Sequence, residues 1–251
     1  MTKFNHSGHD YAHLLERWQK LASRTSLKIE TLSVTPNGEP VLVLETARSS
    51  EEAIYLSAGV HGDECAPIWG LLHWAEQNAA KLKDFPLILF PCLNPEGIVK
   101  NTRDDQDGND LNRSFTDRSI AMVAAWANKI HNRRFSRCLH LHEDYDSQGI
   151  YLYELSDTPS LGRKLLDSCS QHIPIDLRPE IEDYPFDQGI LHHQRKDVEK
   201  LVAETEFEGA EPCQLFLHHT DLSITFESPS ELDLQRRIAT HYQAVDTFVA
   251  G

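Results

Sequence analysis

A chain of 251 residues, 40% of them hydrophobic, can bury one large α/β core, and no linker, repeat or low-complexity tract divides it, so one domain over residues 1–251 is expected. The net charge of −15 and isoelectric point near 5.3 argue against nucleic acid or an anionic membrane as partner, and no apolar run approaches a membrane span. Five scattered cysteines (Cys65, Cys92, Cys138, Cys169, Cys213) form no C-x-x-C pair, and residues 1–32 hold no apolar core of signal-peptide type, so a reduced, cytoplasmic setting is expected.

In chain order, Tyr11–Ala22 places Leu14, Leu15, Trp18 and Leu21 at helical spacing. Thr35-Pro36-Asn37-Gly38 signals a turn into a strand at Pro40–Thr46. Ala53–Val60 is a continuous apolar run, the pattern of a strand covered on both faces. Pro67–Leu82 predicts an amphipathic helix, and Pro86–Pro91 a strand stopped by Asn94-Pro95-Glu96-Gly97. Ile98–Phe115 lacks periodicity, is rich in Asp, Asn and Arg, and reads as a functional loop.

Beyond it the pattern predicts a helix at Asp117–Arg133, a strand at Phe135–His142 running into an acidic loop, and a strand at Gly149–Leu155. A helix at Ser160–His172, one or two strands within Gln214–Phe226, and a closing helix at Ser230–Val249 with Ser230 as candidate cap complete the chain. Strands alternating with helices predict a three-layer α/β/α sandwich. In such sheets ligands collect at the carboxyl ends of strands, where His61, Asn94, His142 and Glu227 fall.

His61 and Glu64 lie three positions apart at the mouth of the Ala53–Val60 strand and can hold a divalent metal such as zinc. Spacing alone is a poor signal, because H-x-x-E occurs four times: His13/Glu16, His61/Glu64, His73/Glu76 and His140/Glu143. The pairs at 13 and 73 fall within predicted helices, where such neighbours are ordinary surface partners. A catalytic zinc needs a third protein ligand. His140 and His142 share a strand face, and His142 is favoured as nearer the strand end, with His140 as a core or outer-shell histidine.

Glu227 ends an alternating strand whose Ser223 and Thr225 share its face, so it is either a strand-end carboxylate or a base beside the metal. Arg103 and Arg113 sit among Asp104, Asp105, Asp107 and Asp110. Both could be charge-balancing loop residues. The sharper reading gives Arg113, beside Asn112, a substrate carboxylate and Arg103 an oxyanion.

His61-Gly62-Asp63-Glu64, Asn94-Pro95-Glu96-Gly97, Thr102-Arg103, Asp110-Leu111-Asn112-Arg113, His142 and Thr225-Phe226-Glu227 occur in an order that resembles the zinc metallocarboxypeptidases of the carboxypeptidase A type. The resemblance implies an eight-stranded mixed, mostly parallel sheet between helices. It implies one zinc per chain on His61, Glu64 and His142, with Glu227 as general base and acid. Arg103 would polarise the scissile carbonyl, and Asn112 with Arg113 would bind the terminal carboxylate of a small peptide or N-acyl amino acid.

Two features depart from that family. Its loop tyrosine, roughly twenty residues before the glutamate base, has no counterpart in Lys200–Glu211, and Tyr184 is a substitute candidate. Glu143 and Asp144 follow the third ligand and add negative charge that would favour a substrate bearing an amine. The missing tyrosine keeps open two sister groups, the aspartoacylase and succinylglutamate desuccinylase-like deacylases and the cytoplasmic murein peptide amidases. A zinc-containing binding protein without activity is the non-enzyme alternative. His140-Leu141-His142-Glu143-Asp144 also resembles the H-x-H-x-D of metallo-β-lactamase-like hydrolases, but Tyr145 stands where that motif continues with histidine.

Overall fold

The structure, a computed structural model, describes residues 7–49, 52–158 and 160–251; the start of the stretch read for a signal sequence lies outside the described residues. The strands are β1 (Lys28–Val34), β2 (Pro40–Glu45), β3 (Ala53–Ala58), β4 (Leu87–Phe90), β5 (Phe135–Asp144), β6 (Tyr151–Ser156), β7 (Glu180–Ile181), β8 (Tyr184–Pro185), β9 (Ile190–His193) and β10 (Leu222–Pro229). The helices are α1 (Tyr11–Ser23), α2 (Cys65–Gln77), α3 (Pro95–Lys100), α4 (Ala121–Ile130), α5 (Gly162–Cys169), α6 (Arg195–Glu204), α7 (Glu211–His218) and α8 (Leu234–Ala250).

Eight strands form one sheet in the order β1-β2-β4-β3-β5-β10-β6-β9, and β7 with β8 forms a separate hairpin. The central pairs β4–β3, β3–β5 and β5–β10 are parallel, as is β6–β9, while β1–β2, β2–β4 and β10–β6 are antiparallel. Helices α1, α2, α5 and α8 bury Trp18, Trp69, Leu165 and Phe248 on one face. On the other, α4 and α7 bury Val123, Trp126 and Leu215. The mixed, mostly parallel three-layer sandwich expected from the sequence is what the chain builds.

Strand alternation decides where the polar residues go. Leu139, Leu141, Ile224 and Phe226 enter the core beneath α2 and α8. With a side-chain period of two, His140, His142, Ser223, Thr225 and Glu227 must face the opposite side. Each buried Leu or Phe favours that register by about 1.5–3 kcal/mol, and a one-residue slip would invert every one of them. Register places Glu227 beside His142 and Tyr151, and Thr225 beside His140 and Tyr153.

Several local expectations are corrected. Asn94-Pro95-Glu96-Gly97 starts α3 rather than merely stopping a strand: Asn94 Oδ1 accepts from Gly97 N at 2.9 Å, and Pro95 suits the first turn. The loop that follows also contains a 3-10 turn at Leu111–Arg113. Of the stretch Gln214–Phe226, expected to hold one or two strands, only the end from Leu222 is strand; its start belongs to helix α7, because a short apolar run does not distinguish the two and Pro212 opens a first turn. Asp233, not Ser230, caps the last helix, accepting from Gln235 N and Arg236 N. The β1, β9 and α6 elements, and the β7–β8 hairpin, carry too little apolar periodicity to be read in advance.

Candidate active site and metal centre

Gly59 ends β3 at φ +62°, a left-handed turn that sends the chain back toward α2. At Gly62 an added Cβ would lie 1.9 Å from the Gly97 carbonyl carbon, so only glycine lets α3 pack directly on this loop. The turn sets His61 and Glu64 facing the end of β5, with Glu64 at the N-cap position of α2 but making no cap bond. Its carboxylate is free to point at the histidines instead.

His61 Nδ1 lies 2.5 Å from Glu64 Oε1, and His142 Nδ1 lies 3.0 Å from Glu64 Oε2. One ligand atom from each of the three residues falls within 4.8 Å of the others, and all three side chains are buried. Glu143 N donates to Glu64 Oε2 at 3.1 Å, and Asp110 Oδ1 lies 3.2 Å from His61 Nε2. Two imidazoles plus one carboxylate, with an imidazole held from behind by a second carboxylate, is a donor set that fits a divalent metal. Burial pushes the Glu64 carboxyl up, but the two histidines outweigh it and hold it below the usual carboxylate range. Burial lowers His61, yet Glu64 and Asp110 raise it to about 9, a measure of how strongly the site attracts positive charge.

The other H-x-x-E pairs go elsewhere. His13 and Glu16 pair at 3.9 Å on α1, and Glu76 on α2 accepts from Arg17 Nε at 3.1 Å. His140 is fully buried below the site, 3.1 Å from Glu211 Oε2 and 3.1 Å from Ser223 Oγ. Glu143 does not add free negative charge, because Arg237 Nη1 donates to it at 2.7 Å and Ala66 N at 2.9 Å. Asp144 stays on the cavity wall, accepting from Tyr151 OH at 3.1 Å.

Arg103 is positioned by α3. Its carbonyl accepts from Asn94 Nδ2 at 3.2 Å, and its Nε and Nη2 donate to Asp110 Oδ2 at 3.1 and 2.9 Å. That leaves Nη1 as the end nearest His61, 3.3 Å from Nδ1. Asp110 also caps the turn that carries Asn112 and Arg113, accepting from Asn112 N at 2.9 Å. It was named in the motif, but among Asp104, Asp105 and Asp107 nothing in the spacing marks it out; only the fold shows it joining His61, Arg103 and Asn112. Arg113 stacks 4.3 Å over the Phe207 ring and lies 3.6 Å from Glu206 Oε1.

Glu227 is buried, and its Oε2 has no hydrogen-bond partner among the described residues. Burial is the main reason its carboxyl stands well above the usual range; His142 opposes this, while Glu64, Asp144 and Glu182 add to it. A cavity of about 590 Å³ is lined by His61, Glu64, His142, Arg103, Asn112, Arg113 and Glu227 together. All seven residues singled out in the sequence therefore meet in one place. Tyr184 lines the same cavity, as do Tyr145, Tyr151 and Tyr153; Tyr153 donates to Glu182 Oε2 at 3.0 Å.

Residues 50–150 match the succinylglutamate desuccinylase/aspartoacylase catalytic domain family. The chain is 34% identical over 122 residues to a succinylglutamate desuccinylase of Pseudomonas aeruginosa PAO1, covering 46% of this chain and 34% of that protein. It thus spans about a third of the length of the curated relatives it matches. The fold resembles a candidate metallopeptidase of Shewanella denitrificans OS217 (TM-score 0.81, 24% identity, 98% of this chain and 92% of that one). It also resembles a Pseudomonas aeruginosa metallo-carboxypeptidase in complex with (2-guanidinoethylmercapto)succinic acid (TM-score 0.66, 15% identity, 98% and 68%). Over residues 50–150 the chain is thus similar to the succinylglutamate desuccinylase/aspartoacylase catalytic domain, and over nearly its whole length it shares the fold of the metallopeptidase and metallo-carboxypeptidase structures.

Proposed function

We propose that the protein is a zinc-dependent hydrolase, with one zinc per chain, that cleaves an amide bond next to a free carboxylate. The observation that carries the reading is the buried group His61, Glu64 and His142 sharing one cavity with an unpartnered Glu227 Oε2 and three cationic or amide donors. His61, Glu64 and His142 would hold the ion. Bound zinc supplies Lewis-acid polarisation of a carbonyl and acidifies water.

The chain's own residues do the rest. Glu227 takes the proton of the attacking water on Oε2 and returns it to the departing amine. Its buried Oε2, which has no partner among the described residues, is free to hold that proton between the two steps. Arg103 Nη1 donates to the oxyanion that develops on the carbonyl. Asn112 and Arg113 receive the substrate carboxylate, the planar guanidinium being held flat by Phe207. The substrate class favoured by the overall fold is a small peptide with a free C-terminus, cell-wall peptides included. The five free, buried cysteines support a cytoplasmic setting.

A second reading, an N-acyl amino acid deacylase, is favoured by the family match over residues 50–150. Parallel assays on short peptides and on N-acetyl and N-succinyl amino acids, each as free acid and as carboxamide, separate the two. Release of C-terminal residues supports the peptidase, release of acyl groups the deacylase, and equal hydrolysis of acid and carboxamide would contradict both.

A further inference from the structure

Beneath the cavity floor lies a buried charge that the proposed reaction does not use. The Glu211 side chain is 1% exposed and stands at the first turn of α7. Its Oε1 accepts from Tyr55 OH, and its Oε2 from Ser57 Oγ at 3.0 Å, with His140 Nδ1 at 3.1 Å. Trp126 Nε1 donates to Tyr55 OH at 2.8 Å, and Ser223 Oγ lies 3.1 Å from His140 Nε2. The carboxylate thus ties the start of α7 to β3, β5, β10 and α4. Glu211, Tyr55, Ser57 and His140 do not line the cavity.

A buried carboxylate is costly to desolvate and a poor way to gain stability, so what it holds in place is informative. One backbone bond leads from it to the cavity: Glu211 N donates to Asn112 Oδ1 at 3.0 Å. That bond decides which end of the Asn112 amide is spent. With Oδ1 occupied, the remaining end is the NH2 group, a donor and hence complementary to a carboxylate. The neighbouring residues fix the other half of the clamp. Phe115 N donates to Gly209 O at 2.9 Å, and Phe207 underlies Arg113. A Cβ on Gly209 would lie 1.8 Å from Arg113 O, so the two backbones are in direct contact.

We infer that Glu211 is a positioning residue: anchored by Tyr55, Ser57 and His140, it fixes the start of α7 so that Asn112 presents its NH2 group to the substrate carboxylate. This rests on the proposal that Asn112 and Arg113 receive that carboxylate. It adds that the orientation of Asn112 is set from inside the core and not by the loop that carries it.

The test uses the full chain with Glu211→Gln, Asn112→Ala and the double variant. The first readout needs no turnover. The Asn112 side-chain amide is followed by ¹H–¹⁵N correlation, its cross-peak being the one missing in Asn112→Ala. In Glu211→Gln that peak is expected to shift or broaden while the protein stays folded. An unchanged peak in a folded variant overturns the inference, whatever the protein hydrolyses. The second readout is kinetic: Glu211→Gln should raise KM about tenfold for a free-carboxylate substrate, the scale of one hydrogen bond to a charged group, with kcat little changed. It should leave the carboxamide substrate unaffected and add nothing to Asn112→Ala. Equal losses on both substrates, additive with Asn112→Ala, would mark a merely structural residue and overturn it. Should Glu211→Gln not fold, Tyr55→Phe, which removes one donor to the same carboxylate, takes its place with the same two readouts.

Discussion

Glu227 and His142 are register partners across the parallel β5–β10 pair, with their side chains on the same face of the sheet. The separation of candidate base from candidate metal ligand is therefore set by the sheet ladder, the stiffest part of the fold. Arg103, Asn112 and Arg113, the proposed substrate-facing groups, come instead from the segment between α3 and α4. This division suits a reaction in which proton transfer must be well aimed while substrates vary.

Replacing Glu227 with Gln keeps the shape but removes the proton acceptor. Turnover should fall by about 10²–10⁴-fold, the usual contribution of a positioned acid–base group, with zinc content unchanged. Steady-state kinetics alongside elemental analysis measures both. Loss of zinc in this variant would mean Glu227 is a ligand and not the base.

Arg103→Ala and Arg113→Ala should fail in different ways. Arg103→Ala removes the donor nearest His61 and is expected to lower kcat by about 10²–10³-fold. Arg113→Ala should raise KM for free-carboxylate substrates by tenfold or more, on the order of a charge-assisted hydrogen bond, and leave carboxamides unaffected. Kinetics on matched acid and carboxamide pairs distinguishes the two patterns. A fall in kcat for Arg113→Ala with unchanged KM would exchange the roles.

Arg237 pairs with Glu143, whose side chain is fully buried, and Glu143 in turn holds the first turn of α2 through Ala66 N. Arg237→Met leaves that carboxylate without its cation and should destabilise the fold by about 3–5 kcal/mol. Denaturant unfolding measures this. A loss below 1 kcal/mol would show that the pair is solvated.

His241 is pushed down to about 3, first by burial and then by Arg237; its Nε2 meets Ser228 Oγ at 3.0 Å, and its Nδ1 has no partner among the described residues. Below the ordinary value of 6.5 the unfolded chain takes up a proton that the folded one refuses. Stability therefore falls as pH drops from 6.5 toward 3, by up to about 1.4 kcal/mol per pH unit from this residue. In His241→Leu the slope of unfolding free energy against pH should be shallower over that window. An unchanged slope would mean the imidazole gains a proton in the folded state.

Much of the site was legible because its candidate ligands sit at strand ends, where a period-two pattern fixes which side chains share a face. The run ending at Glu227 carries that alternation openly, and Ala53–Val60 is legible instead as a continuous apolar run that ends at His61. The wall formed by α6, the 206–209 turn and α7 was not legible, since Gln-Leu-Phe-Leu is equally apolar as strand or helix. Asp110 and Glu211 were missed as contributors for a different reason. Their importance lies in bonds to residues far along the chain, at separations of 49 and 71 for His61–Asp110 and His140–Glu211, and spacing cannot reveal those. Glu143 shows the converse: a charge that reads as free in the sequence is consumed by an arginine on the last helix.

The most direct test of the central claim is zinc content per chain in the wild type and in His142→Ala, read beside hydrolysis of a free-carboxylate amide. One zinc per chain in the wild type, its loss in the variant, and activity removed by a chelator and restored by zinc is the predicted result. Full activity after chelation, or equal zinc in His142→Ala, would contradict the assignment of His61, Glu64 and His142 as the catalytic metal site.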